Sequence, residues 1–210
     1  MGEPILHSCG IRLALGFSRT EGDDDGEHDD YGVEQRGRSP RLRGDWLVAV
    51  MMSEAHGIDL VHRYLEEHQV AHEVVDHEQT ESAAQEAKVA GVPPDHAAKT
   101  LVLRDGERYR LAVIPASCRL DLRKAREALD ASAHLRLASE PEMEADFSSF
   151  EVGALPPLGP MLPAPEALDM RLMDHDRILC SGGDHRHSVL LDPRDLARLG
   201  EATVADVCED

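Results

Sequence analysis

Aromatic side chains are scarce in this 210-residue chain, where only seven residues are Phe, Tyr or Trp. Basic residues are few as well: 22 Lys and Arg stand against 41 Asp and Glu, a formal net charge of −19. These shortages exclude a broad basic face that tracks a nucleic-acid backbone. Long apolar runs are absent too. The longest, Trp46 to Met52, falls far short of the ~20 consecutive apolar residues a membrane helix needs, so no membrane span is expected. The apolar segment Ile11 to Phe17 has no basic stretch before it and no small-residue cleavage site after it. A secretory signal is therefore not expected, and a cytoplasmic location is. The four cysteines, Cys9, Cys118, Cys180 and Cys208, lack C-x-x-C spacing. That argues against a disulfide framework and a zinc ribbon and leaves them as reduced thiols.

The length fits one domain plus a tail. Residues 1–50 contain a run of acids and glycines, Glu21 to Asp30, and an Arg, Gly, Ser and Pro stretch, Arg36 to Arg43. Neither buries enough apolar surface to offset its chain entropy, so residues 1–50 are expected to be a disordered tail and residues 51–210 the domain.

From Ile58 the pattern is regular. Leu60, Val61, Tyr64 and Leu65 share one side of a helix whose other face carries Arg63, Glu66 and Glu67. A strand is expected over Val70 to Val75. Ser82 and Gln85 have capping-box spacing before an alanine-rich helix that should stop near Gly91, because Val92-Pro93-Pro94 cannot continue it. Two β-rich runs, Thr100 to Leu103 and Tyr109 to Ile114, flank Asp105-Gly106, a dipeptide suited to a hairpin turn. Asp121 is placed to cap a helix to Leu129, with Leu122, Ala125 and Leu129 on one face. Gly153 to Pro165 is a loop with five prolines and two glycines. Strands at Ile178 to Cys180 and Ser188 to Leu191 flank a Gly-Gly-Asp turn, and Pro193 opens a last helix through Leu199. Without a regular βαβ rhythm, this is an α+β domain with a mainly antiparallel or mixed sheet.

The order of these elements, with Ala98-Lys99-Thr100 opening a hairpin, Ile114-Pro115-Ala116, Arg119-Leu120-Asp121, the segment Gly153-Ala154-Leu155-Pro156-Pro157-Leu158-Gly159 and Gly183-Asp184-His185, resembles the YbaK-like aminoacyl-tRNA deacylases, the prolyl-tRNA editing domain group. The resemblance spans residues 58–207. It implies a compact α+β fold around a curved mixed sheet flanked by helices. It also implies trans-editing, the metal-independent, cofactor-free hydrolysis of the ester joining a wrong amino acid to tRNA. The partners it implies are the acceptor end of a misacylated tRNA and an aminoacyl-tRNA synthetase.

The same resemblance assigns catalytic roles to Lys99 and Gly153, and substrate contacts to Thr100, Ala154, Pro156, Pro157, Gly159, Gly183 and His185. The chemistry of these residue types fits. An ammonium is a compact donor of three hydrogen bonds, suited to a phosphate or carbonyl oxygen. Glycine lets a backbone approach a ligand while prolines stiffen the loop, so that fixed N–H groups meet an ester carbonyl. No G-x-S-x-G element is present, which leaves water or a ribose hydroxyl as the attacking or proton-relaying group. Read without the resemblance, Lys99 is a surface lysine at a strand start, Gly153 to Gly159 an ordinary proline-rich connection and His185 an edge-strand histidine.

Two rival chemistries fall in the same segments. Cys180, Asp184, His185 and His187 are zinc-type ligands, but no second spaced pair supports them. Cys118 has no histidine beside it and reads as an inert thiol rather than a nucleophile. A binding module with the same pocket, recognising a small amino-acid-like ligand or a partner protein, is the competing function class. Charge opposes an RNA partner: residues 51–210 hold 31 acids against 16 bases. Either Lys99 with Arg104, Arg108, Arg119, Arg123 and Lys124 meets the acceptor end locally, or a saline cytoplasm screens the acid.

Overall fold

The computed structural model describes residues 55–210; the expected tail over residues 1–50, with Cys9, lies outside them. Helix α1, Ile58–Glu67, buries Val61 and Leu65, which stand four apart on one face. Strand β1 is His72–Asp76, slightly later than the apolar run predicts. Val70 instead closes α1, donating its N–H to the Leu65 carbonyl at 2.9 Å. Helix α2, Ala83–Val89, starts at Ser82, whose hydroxyl accepts from the Gln85 N–H at 3.4 Å. The Gln85 side chain returns to the N–H of Glu81, not to that of Ser82. Gly91, at φ 68°, follows the helix end as expected.

Strands β2, Ala98–Asp105, and β3, Arg108–Pro115, pair antiparallel from Ala98 opposite Pro115 to Asp105 opposite Arg108. The turn is therefore Gly106-Glu107, one residue later than expected. Gly106 has φ 62° and Glu107 does not have positive φ, the glycine-first pattern of a type II′ turn, whose twist suits the hairpin. Helix α3, Leu122–Ala128, is capped by Asp121 through the N–H groups of Arg123 and Lys124. Ala125 and Leu129 are buried, but Leu122 is exposed, so the expected three-residue face shrinks to two.

Several elements carried no readable sequence period: β4, Arg136–Leu137; α4, Glu140–Asp146; β5, Glu166–Asp169; and β8, Thr203–Ala205. A Ser139–Glu142 capping box opens α4, and the Glu142 carboxylate accepts from both the N–H and the hydroxyl of Ser139. Strands β6, Ile178–Asp184, and β7, His187–Leu191, form a hairpin, followed by α5, Pro193–Gly200. Gly182, Gly183 and Asp184 belong to β6 itself. The register shifts between Ser181 and Asp184, and the turn is His185-Arg186. The Gly-Gly-Asp turn expected from sequence is thus a bulge in a strand.

The strands form two sheets. One is antiparallel, in the order β1-β7-β6; the other is mixed, β4-β2-β3-β5-β8, with β5 parallel to both neighbours. A parallel bridge between Ala97 and Leu179 joins β2's start to β6. One core, including Val61, Leu65, Leu168, Ile178, Leu191 and Leu196, packs α1 and α5 against strands of both sheets, and Leu103, Ile114, Ala125 and Val207 centre a second under α3. The mixed α+β architecture agrees with the sequence reading. No helix among the described residues is long and apolar enough to cross a membrane.

Candidate active site

Strand β4 pairs with β2 at Leu103 and Arg104, the Ala138 N–H bonds to the Val102 carbonyl, and the bridge to β6 lies at Ala97, so the outer edge of β2 is open between these points. A cavity of about 320 Å³ follows that edge and touches Ala98, Lys99, Thr100, Leu101 and Val102 in succession. Consecutive strand residues point to opposite faces, so five in a row line a cavity only if it runs along the strand's edge. Backbone as well as side chains therefore form this wall. The facing wall holds Leu137, Ala138 and Met143, then Gly153 and Leu155; Glu81 to Ala83, Glu86 and Ser181 complete it.

Lys99 borders this cavity and is half-buried. Its Nζ donates to the carbonyls of Cys118 at 2.6 Å and Ala116 at 3.3 Å. Burial pushes its pKa down, with the nearby Cys118 and Cys208 opposing that shift. Among the described residues no carboxylate pairs with Lys99, so its charge is not neutralised by the protein. Thr100, next in the strand, faces the other side of the sheet. Cys118 supplies a carbonyl to this arrangement, and its thiol is unbonded to another cysteine.

The loop after α4 reaches the cavity through Gly153 and Leu155 only. Gly153 has φ 88°, and a Cβ there would meet nothing nearer than His185 Cε1 at 3.5 Å. The Ala154 N–H is used by Glu151, that of Leu158 by Pro156 and that of Gly159 by the Glu166 carboxylate. Among the described residues, the N–H groups of Gly153 and Leu155 have no acceptor. Ala154, Pro156 and Pro157 are buried and lie outside the lining, and Ala154 accepts the Ser181 hydroxyl at 2.7 Å. A Cβ on Gly159 would sit 2.6 Å from the Ala164 carbonyl, so its missing side chain serves packing.

The third motif stands apart from the cavity. Gly183, at φ 97°, leaves room for Phe150 and Gly57, which a Cβ would approach to 2.7 and 3.0 Å. Asp184 accepts from the N–H groups of Arg186 and His187 and from that of Ile58, tying the hairpin turn to α1. His187 Nδ1 lies 2.7 Å from Asp184. His185 Nε2 meets the Val152 carbonyl at 3.0 Å, and its buried Nδ1 has no partner. The four zinc-type residues of this segment do not converge. Cys180 is buried within β6, where desolvation pushes its thiol pKa up.

Glu86 is the cavity residue that the sequence reading missed. It is buried, and desolvation raises its carboxyl pKa, partly offset by His77 and His185. Ala83, Glu86, Ala87 and Ala90 fall at helical spacing. An acid on that small apolar stripe was the available signal.

Of the six cations expected to meet RNA, three are occupied. Arg104 pairs with Glu107, Glu142 and Asp146, Arg123 with Asp121 and Glu127, and Lys124 with Asp206 and Asp210. Among the described residues, Arg108 and Arg119 have no carboxylate partner.

Residues 77–199 match the aminoacyl-tRNA editing domain. A candidate trans-editing enzyme for prolyl-tRNA synthetase is 29% identical, with a TM-score of 0.59 over 66% of this chain and 87% of its own. A scaffold from work on epitope backbone grafting by computational design is 26% identical, with a TM-score of 0.64 over 73% and 97%. A hypothetical protein, APE2540, is 25% identical, with a TM-score of 0.64 over 71% and 99%. Because the domain match takes in more than half of the sequence, the chain belongs to the aminoacyl-tRNA editing domain family.

Proposed function

We propose that this protein hydrolyses the ester of a misacylated aminoacyl-tRNA, with the aminoacyl group in the cavity along β2. The observation that carries this reading is Lys99, a residue bordering the cavity whose half-buried side chain has no carboxylate partner among the described residues. A buried cation left without a counter-ion is favourable once an anion arrives. The terminal phosphate of the acceptor end supplies one. The unspent N–H groups of Gly153 and Leu155 suit an ester carbonyl that gains negative charge as water attacks. Glu86 supplies a carboxyl that burial makes more basic, as a group taking a proton from that water requires. An aminoacyl ester is already activated, so position and charge stabilisation suffice without a nucleophilic triad.

Substrate recognition is local, because residues 51–210 carry 31 acids against 16 bases and leave Lys99, Arg108 and Arg119 as the unpaired cations of the six. Thr100 belongs to the cavity wall, while Ala154, Pro156, Pro157, Gly159, Gly183 and His185 support the loop and hairpin around it.

The test is a deacylation assay across a panel of misacylated tRNAs, comparing wild type with Lys99→Ala. Turnover of at least one substrate, sharply reduced in the variant, is expected. Binding of an aminoacyl-tRNA without turnover on any panel member would replace this reading with that of a binding module.

A further inference from the structure

Asp95, His96 and His175 come together on a surface that does not line the cavity. Among the described residues they are the one set of three His, Cys, Asp or Glu side chains whose ligand atoms all lie within 4.8 Å of one another. Asp95 and His96 lie just before β2, and His175 lies between the 3₁₀ turn Met170–Asp174 and β6. Sequence spacing gave no hint of this set, because 79 positions separate the two histidines.

Three observations make the cluster more than a chance meeting. First, the rings of His96 and His175 lie 3.8 Å apart, centroid to centroid, at 33°. A nitrogen of each ring and a carboxylate oxygen of Asp95 thus lie close enough for one ion to attract all three. Second, the backbone of each histidine is already held. His96 donates to Pro93 and accepts from Leu179, both at 2.9 Å, and His175 donates to Leu172 at 3.4 Å. Little main-chain freedom is then lost on binding. Third, His96 and His175 are partly buried while Asp95 is exposed, which leaves an open side for water. Tetrahedral ligation at about 2.0–2.1 Å places ligand atoms about 3.3 Å apart. The present separations exceed that spacing by at most about 1.5 Å.

We propose that Asp95, His96 and His175 bind one divalent transition ion of the Zn²⁺ type, with water completing the shell. Two imidazoles and a carboxylate favour zinc, cobalt, nickel or copper over magnesium or calcium. The exposed neighbours Asp174 and Asp176 and the net charge of −19 raise the local cation concentration. The ion clips the start of β2 to the start of β6, beside the Ala97–Leu179 bridge that joins the two sheets. Its role is to hold the strand that carries Lys99 and takes no part in ester hydrolysis.

The experiment uses untagged full-length protein, stripped with chelator and titrated with Zn²⁺ by calorimetry in the presence of a weak competing chelator. Wild type should bind one equivalent and melt at a higher temperature when loaded. His96→Ala and His175→Ala should each weaken binding by more than about tenfold and abolish the thermal shift. His72→Ala and His187→Ala, at histidines elsewhere on the surface, should leave both unchanged, and Mg²⁺ should not substitute. Circular dichroism checks that each variant is folded; Asp95→Asn, on an exposed side chain, gives a second reading if a histidine variant is not. Wild-type affinity in His175→Ala, loss of the site in His72→Ala or His187→Ala instead, or no binding by wild type would overturn the proposal.

Discussion

Gly153 and Gly183 both sit at positive φ, 88° and 97°, in segments that border the same loop, yet they use the missing side chain in opposite ways. Beside Gly153 there is space: a Cβ meets only the edge of His185, and the cavity lies alongside. Beside Gly183 the protein's own atoms fill the space, with Phe150 and Gly57 packed where a Cβ would be. A left-handed glycine is therefore not in itself a sign of a ligand. What stands in the place of its side chain decides the matter, solvent in one case and the fold in the other.

Substitution with valine should separate the two. In Gly183→Val, overpacking against backbone costs about 1–3 kcal/mol and the φ strain about 1–3 kcal/mol more. That is a large share of the ~5–15 kcal/mol a domain has to lose, so chemical denaturation should show a protein largely unfolded or severely weakened. Gly153→Val carries the φ strain without the backbone clash. It should stay folded while deacylation falls to background, because the side chain enters the cavity's border. A stable Gly183→Val protein, or a Gly153→Val protein that unfolds first, would dissolve the contrast.

Lys99 extends the comparison to charge. The cations Arg104 and Lys124 are neutralised by carboxylates, whereas the Lys99 ammonium meets only carbonyl oxygens. Lys99→Ala should lower kcat/KM by about one to two powers of ten, the worth of one charge-assisted contact of about 1.5–3 kcal/mol. Stability should fall by only about 1 kcal/mol, for the two carbonyls left without their donor. Lys99→Arg should rescue poorly, since a planar guanidinium does not fit the place of a compact ammonium. Wild-type rates in both variants would remove Lys99 from the reaction.

The legible parts of this chain were those with local causes. The β2–β3 hairpin, the caps at Ser82 and Asp121 and the start of α5 at Pro193 follow from turn residues and short-range periodicity. Strand β5 was not legible, because Glu166-Ala167-Leu168-Asp169 places acids at both ends of a fully buried strand. One of those acids is satisfied in part at long range: Asp169 accepts the Val207 N–H, and it pairs with Arg171 two residues on. The same limit applied to the site. Lys99, Thr100 and Gly153 were named from motifs and do border one cavity. That Gly183 packs against Gly57, that Glu86 reaches the cavity and that His96 meets His175 all depend on contacts between distant segments, which no spacing encodes.

The smallest effect on activity is expected at a buried acid of β5. Glu166 accepts the Gly159 N–H at 2.9 Å, its second oxygen has no partner among the described residues, and Gly159 and Gly200 leave just the room its carboxyl fills. Desolvation, opposed by that one hydrogen bond, pushes its pKa from 4.5 up to about 8. In the unfolded chain the proton leaves near the ordinary value, while the folded protein keeps it to higher pH. The native state thus binds more protons between these limits, and stability falls as pH rises from about 4.5 to about 8, by up to about 1.4 kcal/mol per unit, then levels off. Glu166→Gln retains an acceptor for Gly159 and removes the titration. Denaturant melts at pH 5, 7 and 9 should show the wild type losing stability relative to the variant at each step. Deacylation at pH 7 should stay close to wild type in this variant, because Glu166 supports the far end of the loop and does not line the cavity. Parallel pH–stability profiles for the two proteins would mean that Glu166 ionises inside the fold at little cost, and that the Gly159 end of the loop is more open to water than its packing implies.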